Sequence, residues 1–200
     1  GYSWSMNKTS NVSLRDPNHA LAHWVQSSFS PGFLQIIETD GRERSMITEL
    51  IVQLSLCGSF NLIAVDEWLP DRDTLYRSVR RHTLAIQETL DRPKIQRPMT
   101  CLQLKDLLMG TDIRTRPTLV LNCFYHFYNP DVDISLRQRT LKYCCRYLKQ
   151  LSCCHPVTVL VPRLSTEDYS RFFPVLADLA DEIIPVAEWF PMHASQGALF

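Results

Sequence analysis

The chain has 200 residues, 45% hydrophobic and 21% charged, which suits one globular domain with a sizeable core. Lysine plus arginine and aspartate plus glutamate each number 21, so the formal net charge is zero. That excludes a globally polycationic protein, and any affinity for nucleic acid or an anionic membrane must come from a local patch. No apolar run approaches the ~20 residues of a membrane-spanning helix, so no membrane partner is expected. The start, "GYSWSMNKTS", has no apolar core of the kind a signal peptide carries. Seven cysteines form an odd set in a chain that does not need staples. They are read as reduced thiols of an intracellular protein, cytoplasmic or nuclear.

Residues 1–32 are polar and turn-rich apart from "ALAHWV", and are expected to form a flexible arm or short helix. From Phe33 the pattern becomes regular. "FLQII" is a short strand, and "SMITELIVQLSLC" spaces Ile47, Leu50, Ile51, Leu54 and Cys57 as a helix that Gly58 stops. "FNLIAVDE" is a second buried strand. Pro70 and the acids of "PDRD" open a helix running to about Thr83. "ETLDRPKIQRP" is a basic connection holding a short strand, and Thr100 caps a helix over "CLQLKDLLM". "PTLVLNCF" is a strongly apolar strand. A long helix follows over "DISLRQRTLKYCCRYLKQLSCC", with Leu141, Cys144, Leu148 and Leu151 on one face. "PVTVLV" is another strand, and "YSRFFPVLADLA" contains a helix broken or started at Pro174. "EIIPVAEW" is a last strand that Pro185 places near a sheet edge. Alternating apolar strands and helices predict an α/β domain over 33–190: a mostly parallel sheet flanked by helices in three layers, followed by a tail at 191–200.

Between the first strand and its helix stands "ETDGRERS". A phosphate-binding loop reads G-x-x-x-x-G-K-[ST] at that place, because glycines let backbone N–H groups close on phosphates while lysine and a hydroxyl serve the phosphates and magnesium. In that frame Glu38 falls on the first glycine, with Thr39, Asp40, Gly41 and Arg42 between. Glu43 falls on the second glycine, Arg44 on the lysine and Ser45 on the hydroxyl residue. Glu38, Asp40 and Glu43 would each face a polyanionic ligand at an order of a few kcal/mol per close contact. Glu38 and Glu43 are therefore expected to pair with Arg42 and Arg44, filling the phosphate pocket internally.

On these segments, from Phe33 to about Trp189, the order resembles the RecA-like and KaiC-like P-loop ATPase core in a degenerate form. In that family the second strand ends in an acid that positions the attacking water, and "LIAVDEWLPDRDTL" looks like that segment, with Asp66 or Glu67 in the role. The family's magnesium-site aspartate ends an apolar strand; in "TLVLNCFYHFY" Asn122 stands there. The family's long DNA-binding loop shrinks here to "PRLSTEDYSRFF". The resemblance implies a pseudo-ATPase that works by binding or as a scaffold, with an accessory role in DNA recombination or repair, and that pairs with itself or with another protein. No resident cofactor is expected; Mg·ATP is the ligand to test. One alternative is an active, atypical ATPase using Arg44, Ser45 and Glu67.

A second alternative is a nucleotide-independent nucleic-acid binder. Arg139, Lys142, Arg146 and Lys149 recur at helical spacing as one basic stripe, which is either a solvated face or a phosphate contact. No metal site is expected, because neighbouring cysteines such as Cys144 and Cys145 diverge by ~100° on a helix. "FYHFY", Phe124 to Tyr128, follows the Asn122 strand at the sheet's carboxyl edge. It is read as aromatic packing under a loop or as a stacking or partner surface, and Trp68 is read as a packing residue.

Overall fold

The computed structural model describes residues 32–39, 44–110 and 112–185. The expected arm, the tail and the loop centre 40–43 lie outside the described residues. Strand β1 (Leu34–Thr39) leads to α1 (Arg44–Cys57), then β2 (Phe60–Ala64) and a short 3₁₀ turn at Asp66–Trp68. Helices α2 (Arg72–Val79) and α3 (Ile86–Leu90) precede β3 (Pro93–Gln96) and α4 (Cys101–Met109). A 3₁₀ turn at Asp112–Thr115 enters β4 (Thr118–Leu121), and another at Cys123–Tyr128 leaves it. The chain continues through α5 (Ile134–Ser152), β5 (Val157–Pro162), α6 (Glu167–Ala177) and β6 (Glu182–Pro185).

The six strands form one sheet in the order β3-β2-β4-β5-β1-β6, every neighbouring pair parallel. Alternate strand residues feed two cores. One face carries Ile36, Ile63, Val120 and Val159 against α4, α5 and α6. The other carries Ile37, Leu62, Leu119 and Leu160 against α1, with Leu75 of α2 packed at its rim. The predicted three-layer α/β arrangement is therefore what the chain adopts, and both sheet faces are dry, as all-parallel sheets require.

Helix α1 is buried well beyond one stripe: Thr48, Gln53 and Ser55 are buried with the apolar residues. Their polar groups are satisfied locally, Thr48 and Ser55 by carbonyls one turn back and Gln53 by Glu49 at 2.8 Å. Gly58 takes φ 155° after the last turn, a conformation that glycine tolerates, as the stop signal predicts. Beyond it, Arg92 Nη1 donates to the carbonyls of Ser55 (2.7 Å) and Leu56 (3.1 Å). It places a cation on the negative end of α1.

Two local expectations need correction. The helix opened by Asp71 ends at Val79, short of Thr83, and a separate five-residue helix, α3, follows. A helix that short carries too little apolar period to be seen in sequence. Helix α6 runs through Pro174, because it is already started by the Thr166 cap on Tyr169 N–H and by two acids in its first turn. The Pro174 ring sits on the exposed side. Pro185 does mark an edge strand, and β3, whose first residue is Pro93, is the other edge.

Candidate functional site at the carboxyl edge of the sheet

Two crevices open where adjacent strands send their chains to opposite faces of the sheet, the places where open α/β sheets bind ligands. The first lies between β1, followed by α1 on one face, and β5, followed by α6 on the other. The second lies between β2, followed by α2, and β4, followed by α5. The sequence-predicted residues divide between them.

At the first crevice, Glu38 and Thr39 end β1, while Arg44 and Ser45 stand exposed on the first turn of α1. Asp40, Gly41, Arg42 and Glu43 lie outside the described residues. Arg163 N–H, just past β5, donates to the Thr39 carbonyl at 2.7 Å. The carboxylate of Glu38 accepts a hydrogen bond from the hydroxyl of Tyr169 on α6. Burial, reinforced by that carboxylate, pushes the Tyr169 phenol up, so it remains the donor. Among the described residues the carboxylate of Glu38 is taken by a tyrosine 131 residues away and not by Arg44, and the expected pairs that involve Arg42 or Glu43 lie outside the described residues. No local sequence signal marks that partner.

At the second crevice, Glu67 and Asn122 line one cleft of about 430 Å³, together with Trp68, Arg97, Tyr125 and His126. Asp66 opens the 3₁₀ turn beside it. Strand β4 is separated from β1 by β5, so Asn122 lies one strand away from the loop end and not directly beside it. Its backbone is left-handed, φ 52° and ψ 17°, a conformation that asparagine tolerates better than most residues. Its N–H still reaches the Leu160 carbonyl at 3.0 Å, and its own carbonyl accepts from Tyr125 N–H at 3.1 Å. Asn122 is only 7% exposed, yet its Oδ1 has no hydrogen-bond partner among the described residues. Buried polar atoms without a partner are scarce in native folds and call for a reason.

The "FYHFY" segment is split between the two readings given to it. Phe124 and Phe127 are buried and stack at 5.6 Å, whereas Tyr125 is 58% exposed. His126 Nε2 lies 2.8 Å from the Pro98 carbonyl, which only accepts, so that nitrogen carries the proton. Burial pushes the imidazole down, which keeps the ring neutral and Nδ1 unprotonated at neutral pH.

No known family model matches the chain, and no curated protein matches it significantly. Function is therefore read from the chemistry of these crevices.

The basic stripe lies on α5. Arg139, Lys142 and Arg146 are exposed. Lys149 is not free for a ligand, because its ammonium holds both oxygens of Asp181 at 2.6 and 2.7 Å. That bond, with the Leu34 N–H as a second donor, holds the Asp181 carboxyl below its ordinary value of 3.8. A lowered carboxyl stabilises the fold above its unfolded value and loses that contribution as pH falls through its native value. The stability difference between the native chain and Asp181→Asn is thus expected to be constant at neutral pH and to shrink below about pH 3.8. Urea midpoints from pH 7 to pH 3 measure it. A pH-independent difference would contradict the ion pair, whose effect is modest because both partners are one-third exposed.

Among the described residues no cluster of His, Cys, Asp or Glu could hold a metal ion, and no helix is long and apolar enough to cross a membrane. Cys144 and Cys145 are both buried, while Cys153 and Cys154 are exposed.

Proposed function

We propose that the protein is a RecA-like pseudo-ATPase: a binding or scaffold protein, accessory to DNA recombination or repair, in which the former phosphate site has become part of the packing. The observation that carries this reading is the Glu38 carboxylate at the first-glycine position, hydrogen-bonded to Tyr169 at the end of β1. A phosphate approaching that point meets a fixed negative charge, at about 4 kcal/mol for unit charges ~4 Å apart near a protein surface. Glutamate also brings a side chain where a phosphate loop needs bare backbone N–H groups. At the other crevice Asn122 offers a neutral amide where the resemblance calls for a magnesium-binding carboxylate, which removes the charge that would hold the ion. Pairing with a second copy or with another protein is implied by the resemblance to RecA-like cores.

The rival reading, an atypical hydrolase, draws on Glu67 and Asn122 sharing one cleft. Phosphate release from Mg·ATP by the full chain separates the two. The expected result is no turnover above buffer, unchanged in Ser45→Ala. Steady turnover that Ser45→Ala abolishes would overturn the pseudoenzyme.

A further inference from the structure

Helix α2 turns one side to α1 and leaves the other in solvent. The segment 74–87 holds no Asp, Glu or Lys, yet it carries Arg77, Arg80 and Arg81 in a chain of zero net charge. Past Val79 the winding continues as a turn. The N–H groups of Arg80, Arg81, His82 and Thr83 donate to the carbonyls of Tyr76, Ser78 and Val79 at 2.9 to 3.1 Å. Ala85 N–H then closes on the Thr83 hydroxyl at 3.1 Å. On the inner side Ser78 and Val79 are buried, and His82 Nε2 meets Glu49 of α1 at 3.0 Å. On the outer side, residues four apart fall in one row: Tyr76, Arg80 and Leu84, with Arg77 and Arg81 beside them. All three arginines are exposed, Tyr76 is 45% exposed and Leu84 97%.

That composition differs from a solvated helix face. A solvated face is charged and polar and turns leucine inward, whereas protein interfaces are enriched in arginine and tyrosine and depleted in lysine and acids. Among the described residues no ion pair forms to Arg77, Arg80 or Arg81. The acids of α2 stand at its start. Asp71 is engaged as the cap, accepting from Thr74 N–H at 2.8 Å and from its hydroxyl at 2.7 Å. Asp73, one turn before Arg77, offsets one charge at most and leaves those of Arg80 and Arg81.

A short row of cations calls for carboxylates or phosphates, and its apolar ends decide between them. Tyr76 and Leu84 bracket the arginines, eight residues and so roughly 12 Å apart along a helix. A phosphate backbone would leave the leucine in water. A peptide with carboxylates between two apolar side chains covers the whole row.

We infer that the row from Tyr76 to Leu84 docks an acidic segment of a partner protein, whose carboxylates meet Arg77, Arg80 and Arg81 while its apolar side chains cover Tyr76 and Leu84. This goes beyond the pseudo-ATPase reading and does not depend on it.

The test uses the full chain and a fluorescein-labelled peptide, Glu-Phe-Asp-Glu-Asp-Leu-Glu, whose Phe and Leu lie roughly 13 Å apart when extended. Fluorescence anisotropy is expected to show saturable binding that weakens as salt rises. Arg80→Ser and Leu84→Ser are each expected to weaken it about fivefold or more, as for contacts at the centre of an interface. Both side chains are exposed, so the urea midpoints of these variants are expected to match that of the native chain. Exchanging the Phe and Leu of the peptide for serine keeps its charge and is expected to weaken binding to the native chain by a similar factor. The inference is overturned if the peptide does not bind at millimolar concentration, or if Arg80→Ser, Leu84→Ser or the serine peptide leaves binding unchanged. It is equally overturned if single-stranded oligothymidylate binds at lower concentration than the peptide, which would assign the row to nucleic acid. A dimer in sedimentation that Leu84→Ser dissociates would assign it to a second copy and overturn it too. No nucleoside triphosphate enters these arms, so failure here leaves the proposed function standing, and the reverse holds too.

Discussion

Arg137→Ala is expected to destabilise the protein by about 3–5 kcal/mol, the usual cost of breaking a buried ion pair from one side. Arg137 is 6% exposed. Its Nη1 donates to the Phe127 carbonyl at 2.9 Å and to Asp168 Oδ2 at 3.1 Å, and its guanidinium sits 5.5 Å from the centroid of the Phe172 ring. The side chain thus joins three elements: α5, the 3₁₀ turn after β4, and the first turn of α6. Truncation leaves a buried carbonyl without a donor and a carboxylate without its cation. Lysine at 137 is expected to recover only part of the loss, because its ammonium keeps the charge but lacks the planar guanidinium that lies over the Phe172 ring. Urea unfolding measures both variants. A cost below about 1 kcal/mol for Arg137→Ala would mean that water replaces the guanidinium at no penalty, contrary to the burial seen.

Phe127→Ala is expected to cost a similar 3–5 kcal/mol, for a different reason. The ring is fully buried and stacks on Phe124. Its removal opens a cavity under the turn that shapes the β2/β4 cleft. The bond that the Arg137 guanidinium donates to the Phe127 backbone carbonyl survives this change, but both residues support the same turn, so the Arg137→Ala/Phe127→Ala double variant is expected to lose less than the sum of the two. Additivity within about 0.3–0.5 kcal/mol would show that the turn is not one cooperative unit.

The layers and strand directions were readable because five apolar runs, the strands other than β3, alternate with helical periods and lack the polar faces of an antiparallel sheet. The capped starts of α2 and α4 were readable from Asp71 and Thr100, whose side chains accept from the N–H groups three residues on. What escaped depends on distance or geometry that a linear pattern does not carry. Glu38 finds its partner 131 residues away on α6. Lys149 looks like part of a free stripe until β6 brings Asp181 beside it. Asn122 was legible as a residue out of place at a strand end, but not as a left-handed residue with a buried, unpartnered oxygen. Trp68, read as packing, proves also to line the cleft with Glu67.

Thermal unfolding with and without Mg·ATP tests the proposed pseudo-ATPase reading most directly. A ligand present at 100 times its Kd stabilises the fold by about 2.7 kcal/mol, which raises Tm by roughly 5–10 °C for a chain of this size. With Glu38 held by Tyr169, millimolar Mg·ATP is expected to leave Tm unchanged. A rise of several degrees that Ser45→Ala removes would contradict that reading and mark the loop as a nucleotide-binding one.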